Sequence, residues 1–150
     1  MLFRSLPKEY QSFINNNTRV ARIAYRYLKS RGLTSQDILK YGIGYCEGGL
    51  YNNMVIIPSY DSNGKLNYFT ARSFEHEPYV KYRNPMVSRD IIAFEMFINW
   101  DLPIILCEGP FDAIAIKRNV IPLLGKNIQS QLMKKLVESR VQKVYIALDN

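Results

Sequence analysis

The sequence has no apolar stretch long enough to cross a membrane, and its N-terminus, MLFRSLPKEYQSF, lacks the hydrophobic segment of a signal peptide. A cytoplasmic protein with no membrane partner is the expectation. Cysteine is scarce: Cys46 and Cys107 lie far apart and neither belongs to a Cys-x-x-Cys pair, so no zinc ribbon or disulfide framework is written here. The one histidine, His76, has no matching ligand cluster and reads as an exposed loop residue; the one tryptophan, Trp100, reads as packing. No Gly-x-x-x-x-Gly-Lys-Ser/Thr run occurs, so Gly125-Lys126 is not a P-loop and no fused helicase is present. Repeats and low-complexity segments are also missing. With 47% hydrophobic residues the chain is too apolar to be disordered, and 150 residues are enough for one core or two small ones.

Acidic residues are outnumbered, 13 against 20 Lys and Arg, for a net charge of +7. Polyanions, nucleic acid first among them, are the favoured partners. Periodicity divides the chain. Residues 6–16 and 18–30 carry apolar residues at helical spacing, and Gly32 stands where a helix-ending glycine belongs. Thr34-Ser-Gln-Asp37 resembles a capping box that opens a short helix to Lys40. From Ile43 the pattern turns to strand. Met54-Val-Ile-Ile-Pro58 and Leu66 to Ala71 flank Asp61-Ser-Asn63-Gly64, a hairpin signal; a further extended piece at Tyr79–Tyr82 joins it, and Ile91–Ile98 reads as a helix.

The last third reads strand (104–107), helix (111–118), strand (121–124), helix (128–139), strand (144–148), a βαβαβ order that implies a parallel sheet. Active residues in such sheets gather at the carboxyl ends of the strands. Glu108 and Asp149 each follow an apolar run, and Asp112 falls in the first turn of the intervening helix, opened by Gly109 for a tight turn and Pro110 for the helix start. Three carboxylates are thus expected to converge. Such a cluster needs a cation, and hard oxygen ligands suit Mg²⁺ or Mn²⁺ in phosphate chemistry. On spacing alone, Asp112 as a helix-start acid and Glu108 as a loop acid explain the same residues equally well.

The run Ile104-Ile-Leu-Cys-Glu108-Gly109-Pro-Phe-Asp112, with Leu123-Leu-Gly125-Lys126 and Ala147-Leu-Asp149-Asn150, resembles the TOPRIM signature of primases, topoisomerases and some nucleases. Upstream, Tyr27-Leu-Lys-Ser-Arg-Gly32-Leu, Tyr41-Gly-Ile-Gly44-Tyr, Phe69-Thr-Ala-Arg72 and Lys81-Tyr82-Arg-Asn84-Pro85 are similar to the N-terminal subdomain of DnaG-type primase cores. The resemblance implies an α/β fold: a mixed α+β subdomain over 1–100, then a TOPRIM-type βαβαβ parallel sheet over 101–150, truncated at its C-terminus. It implies a primase that makes RNA primers on single-stranded DNA from ribonucleoside triphosphates during replication, with Mg²⁺ or Mn²⁺ and no zinc. Glu108 and Asp112 then serve catalysis, Glu108 and Asp149 hold metal, and Arg72, Lys81, Tyr82, Asn84, Arg89 and Lys126 bind nucleotide or DNA. A replicative helicase and a separate zinc-binding domain are the implied protein partners.

Where the family pattern places a lysine after Lys-Tyr-x-Asn, this sequence offers Arg89, which can keep the charge but not necessarily the geometry. The sequence stops at Asn150, before the second Asp of the family's Asp-x-Asp, and so reads as a fragment, a split product or a truncated relative. Its compact form points to a phage source. Lys65, Arg72, Lys81, Arg83 and Arg89, interleaved with Tyr68, Phe69, Tyr79 and Tyr82, suit phosphate contact plus base stacking, although Phe69 fits the inner face of a sheet better. Lys134 and Lys135 read as a solvated helix face. A TOPRIM nuclease and a non-catalytic DNA-binding fragment stay open as alternatives; a topoisomerase lacks room for its strand-passing domain.

Overall fold

The structure, a computed structural model, describes residues 5–149. Asn150, where the truncated Asp-x-Asp reading rests, lies outside them. Contacts divide the chain into two compact units: the first runs to Pro58 and resumes at Phe69–Met86, and the second takes Ser59–Tyr68 and the chain from Val87 onward. The boundary expected at residue 100 marks the start of the parallel-sheet motif, while the compact units divide the chain elsewhere.

In the first unit, helix α1 (Arg19–Ser30) begins where Thr18 accepts a hydrogen bond from the Ala21 N–H, and it buries Ala21, Ala24 and Leu28. It ends at Gly32, whose φ of 87° suits glycine, with Gly32 N–H donating to Lys29 and Leu33 N–H to Leu28, a Schellman closure over buried Leu28 and Leu33. Helix α2 (Ser35–Lys40) opens on the expected capping box: the Asp37 N–H donates to Thr34 Oγ1 at 3.1 Å and the Thr34 N–H to Asp37 Oδ2 at 2.8 Å.

Residues 6–16 are not helical as the spacing predicts. Strand β1 (Tyr10–Ser12) pairs antiparallel with β2 (Gly44–Cys46), Tyr10 opposite Cys46, and the Tyr10 hydroxyl donates to the Gly42 carbonyl at 2.7 Å. A Cβ on Gly44 would overlap the Tyr10 ring and the Gln11 carbonyl, so the glycine admits the strand. Pairing of distant residues decides here, and apolar spacing alone does not register it. Strands β3 (Met54–Tyr60) and β4 (Leu66–Ser73) complete the sheet in the order β1-β2-β3-β4. Their turn is the expected one: Asp61 Oδ1 accepts from the N–H groups of Asn63 and Lys65, and Gly64 has φ 77°. The extended piece at 79–82 joins as a bridge rather than a strand, Arg72 opposite Tyr82.

In the second unit, β5 (Ile104–Cys107), α3 (Pro110–Ile116), β6 (Val120–Pro122), α4 (Ser130–Glu138) and β7 (Val144–Ala147) follow the predicted order, and β5 pairs in parallel with both β6 and β7. Ile104, Leu106, Ile121, Leu123 and Leu132 form the core with Ile92, and Trp100 packs against it, as expected of packing. The α4 start has no cap of its own; Asp90 accepts from the Gln131 N–H at 2.9 Å instead. Strand β7 is exposed throughout, unlike the doubly buried strands that a parallel sheet suggests.

The helix predicted at 91–98 shrinks to a 3-10 turn, Glu95–Phe97, entered through Phe94 at φ 59°. Side chains have taken the backbone groups a helix would use: Ser59 Oγ accepts the Phe94 N–H at 2.9 Å, and the Asn67 amide donates to the Ile92 carbonyl at 3.0 Å.

Replacing Thr34 by Ala removes one half of the capping box and leaves the Asp37 N–H without its acceptor. A loss of about 1 kcal/mol of stability is expected, read as a lower urea midpoint with an unchanged slope.

Candidate active site and nucleic-acid interface

The acidic candidates stand at the carboxyl end of the parallel sheet. Glu108 leaves central strand β5, partly buried, and Asp149 follows edge strand β7 by two residues. Parallel pairing of Cys107 with Ala147 brings these strand ends level. The Asp149 N–H then donates to Glu108 Oε1 at 3.1 Å, which joins the two positions across 41 residues of sequence. Lys126 Nζ lies 3.8 Å from the same oxygen, with Glu108 24% and Lys126 66% exposed. So open an ion pair contributes little to stability.

Asp112 sits in the first turn of α3 behind Pro110, solvent-exposed, as a helix-start acid does. The expected convergence of three carboxylates does not occur: no three His, Cys, Asp or Glu side chains among the described residues gather closely enough to hold a metal ion. Asp112 nevertheless stays near the strand tip, its Oδ2 3.7 Å from where a Cβ on Gly109 would stand. It is the backbone N–H of Asp149, rather than its carboxylate, that the structure brings to Glu108. Gly109 also differs from expectation: its φ is −131°, ordinary extended backbone, so no glycine-only turn is needed there.

The loop after β6 carries Lys126 to this end. Leu124 within it has φ 58°, a conformation strained for a branched side chain, and its carbonyl accepts from Arg89 Nη1 at 3.0 Å. Arg89 also acts on Tyr68, whose hydroxyl is pushed to a raised pKa by burial and pulled back by the Arg89 charge. Arg89 thus belongs to the second unit with Glu108 and Lys126, and is partly engaged in holding a loop.

Lys65 also falls in the second unit, whereas Arg72, Lys81 and Arg83 belong to the first. There the Arg72 guanidinium lies 5.1 Å from the centre of the Tyr82 ring and 5.9 Å from that of Tyr27, and its Nη1 donates to the carbonyls of Ser73 and Lys81. Arg31 sits 5.9 Å from the other ring contact, Tyr27, and donates to its hydroxyl at 2.8 Å. Tyr27 and Arg31 carry no assigned role in the sequence reading; their spacing of four on one helical turn is the signal that was available. Lys81 and Tyr82 are exposed. Asn84 Oδ1, Arg72 Nε and Arg83 Nε are buried without a hydrogen-bond partner, a combination that costs free energy unless a ligand or water satisfies it.

The aromatic residues separate by burial. Tyr68 and Phe69 are 2% and 3% exposed, so neither can stack on a base, which corrects the expectation for Tyr68 and upholds the inner-face reading of Phe69. Tyr79 and Tyr82 are free to do so. His76 lies on an exposed bend, and Lys134 and Lys135 are exposed on α4, Lys135 over the Trp100 ring.

No protein-family model matches the sequence. An uncharacterised protein of Mycoplasma genitalium, MG010, is 31% identical over 137 residues, covering 85% of this chain and 62% of its own length. Its Mycoplasma pneumoniae homologue, also uncharacterised, is 27% identical over the whole chain and 74% of its own length. Among solved structures, the Aquifex aeolicus primase (zinc-binding and RNA polymerase domains) aligns with a TM-score of 0.72 at 23% identity, over 92% of this chain and 44% of that one. The DnaG primase catalytic domain bound to single-stranded DNA gives 0.72 at 18%, over 87% and 55%, and the E. coli primase catalytic core 0.72 at 17%, over 90% and 57%. The chain therefore has the mixed α/β fold of DnaG primase catalytic cores. It spans about half the length of these solved relatives and about three fifths of MG010. The phage source expected from the compact form finds no support in these bacterial relatives. No helix among the described residues is long and apolar enough to cross a membrane.

Both thiols are buried. Burial pushes Cys107 up to about 12, helped by the charges of Asp112 and Glu108 and opposed by a backbone hydrogen bond at Gly109; burial and the charge of Glu9 push Cys46 to about 12. The folded chain holds these protons after the unfolded chain has lost them, so stability falls as pH rises through the ordinary thiol range toward 12. Urea unfolding across that window is expected to show a decline that shrinks when Cys107 is replaced by Ser, and Ellman's reagent at neutral pH should label both thiols only after unfolding.

Proposed function

We propose that the chain is the core of a DNA primase, a nucleotidyltransferase that joins ribonucleotides on a single-stranded DNA template during replication. The observation that carries this reading is the junction at the sheet end, where Glu108 on β5 accepts the Asp149 N–H of β7 with Lys126 beside it, within the fold of DnaG primase cores. One relative in that fold was solved with single-stranded DNA, which favours a DNA template here.

Residues 1–100 then correspond to the template-handling subdomain and 101–150 to the TOPRIM domain. Arg72 and Lys81 would hold phosphates, Tyr82 would stack on a base, and Asn84 would complete its buried oxygen's hydrogen bonding on nucleotide or water. Arg89 and Lys126 add positive charge toward the triphosphate, Lys126 by leaving Glu108. Mg²⁺ or Mn²⁺ shared by Glu108 and Asp149 would supply charge stabilisation for the transferring phosphoryl group. The primer's 3′ oxygen forms the new bond to the α-phosphorus as the bond to pyrophosphate breaks, and Glu108 is placed to take the hydroxyl proton. Asp112 supports Glu108 from the first turn of α3 rather than as a third ligand. A replicative helicase and a zinc-binding domain are what this role would call on besides the chain itself.

Ribonucleotide incorporation on single-stranded DNA with Mg²⁺ or Mn²⁺, using the full-length protein, tests the reading. Glu108→Gln keeps the hydrogen bond to Asp149 and is expected to reduce incorporation at least about 100-fold. Shortening of the template instead of primer synthesis identifies a nuclease. Salt-sensitive DNA binding with no metal-dependent turnover identifies a non-catalytic DNA-binding protein.

A further inference from the structure

Helix α1 contains no acidic residue, and Arg19, Arg22, Arg26 and Lys29 recur along it at intervals of three and four, all exposed. That spacing stacks four cations on one face over roughly 15 Å. Helix stability does not explain the arrangement. Like charges one turn apart repel, and Arg19 and Arg22 stand at the positive end of the helix dipole, where acids would be favoured. None of the four is in an ion pair among the described residues.

A pocket of about 480 Å³ opens beside this stripe, lined by Phe13, Asn16, Arg22, Tyr25, Arg26 and Lys29 among others, with no carboxylate in its wall. Its aromatic side is fixed in place: the Tyr25 hydroxyl is hydrogen-bonded with Ser35, its ring meets Phe13 edge-on at 5.6 Å, and Lys29 Nζ lies 6.0 Å from the ring centre. The Asn16 amide is anchored on the Tyr45 hydroxyl at 2.8 Å. Tyr25 and Tyr27, two residues apart, point about 200° from one another around the helix. The pocket is therefore distinct from the Tyr27–Arg31–Arg72 cluster.

We propose that this flank of α1 is a second contact for single-stranded nucleic acid, with phosphates along the Arg19–Lys29 stripe and an unpaired base against Phe13 and Tyr25. Cations in series match a repeating phosphate chain, and an aromatic pocket requires a base free of its partner strand. The choice of nucleic acid over another polyanion rests on the primase reading. Binding is measured without turnover, so a failure of catalysis leaves this test intact.

The experiment is fluorescence anisotropy of labelled oligothymidylate over a range of salt, with ATP as a separate ligand. Arg22→Glu/Arg26→Glu is expected to weaken binding and to lower the slope of log affinity against log salt by about 1.4, the value for two single-strand phosphate contacts. Arg22→Lys/Arg26→Lys should keep most of the slope, and neither variant should unfold at a lower temperature than the parent, since the side chains are exposed and acids are favoured near this helix end. Lys81→Ala, measured in parallel, reports on the interface of the primase reading. Loss at Lys81 with none on α1 overturns this inference alone; loss on α1 with none at Lys81 leaves it standing and removes the other. Saturable ATP binding that the charge reversal abolishes, with strand affinity unchanged, overturns it in favour of a free nucleotide.

Discussion

Strand β5 is paired on both edges, to β6 from Ile105–Val120 through Cys107–Pro122 and to β7 from Ile104–Val144 through Cys107–Ala147. Both registers close on Cys107, so the residue that follows it leaves the sheet at one fixed place. Every feature of the acidic end follows from this. Glu108 emerges between the two neighbouring strands, the backbone after β7 arrives within hydrogen-bonding distance of it, and the loop after β6 brings Lys126 to the same oxygen. Pro122 is tolerated in β6 because that strand lies at the sheet edge, where a missing N–H breaks no second ladder. The strand entering this arrangement is itself clamped: the Asn119 side chain donates to the carbonyls of Asn99 and Pro103 and accepts from the Asn99 N–H.

The first unit solves a different problem, that of exposing positive charge without losing its frame. Arg72 is a strand residue of β4 whose backbone bridges to Tyr82, so its guanidinium is fixed at the base while its face is offered to two rings. Arginine suits this place because a planar guanidinium can stack and donate at once, which an ammonium cannot. Its Nε, together with Asn84 Oδ1 and Arg83 Nε, is left buried and unsatisfied. Buried donors and acceptors are normally hydrogen-bonded, so this cluster keeps capacity that a water or a ligand can take up.

What could be read in the sequence was what local chemistry decides. The capping box at Thr34, the glycine after α1, the Asp61–Gly64 turn and the βαβαβ order each depend on residues close in sequence, and each is present. What failed was set by distant partners. Residues 10–12 became a strand because Gly44 leaves room for Tyr10, and 91–98 lost its helix because Ser59 and Asn67 hold its backbone. The site was legible to the same degree. The places of Glu108 and Asp149 follow from strand ends, whereas whether three carboxylates meet depends on side-chain directions that spacing does not give, and the link between Arg89 and the loop of Lys126 depends on the Leu124 carbonyl.

Composition could not assign the aromatic residues, because a tyrosine that braces a sheet and one that stacks on a base look alike in a list. The difference lies in how many faces of a strand are covered. Strand β4 is buried on both faces over Tyr68–Ala71, so alternation sends neither Tyr68 nor Phe69 to solvent. Tyr82 belongs to a segment attached to that strand by a single bridge, and one face of it stays open. The same reasoning separates Tyr25 from Tyr27 on α1: both flank the buried strip of Ala21, Ala24 and Leu28, one on each side, and each is set against arginine or lysine. A helix whose buried strip is this narrow, built mainly of alanine, has two flanks wide enough to serve two contacts, and that width comes from the small side chains rather than from the charges themselves.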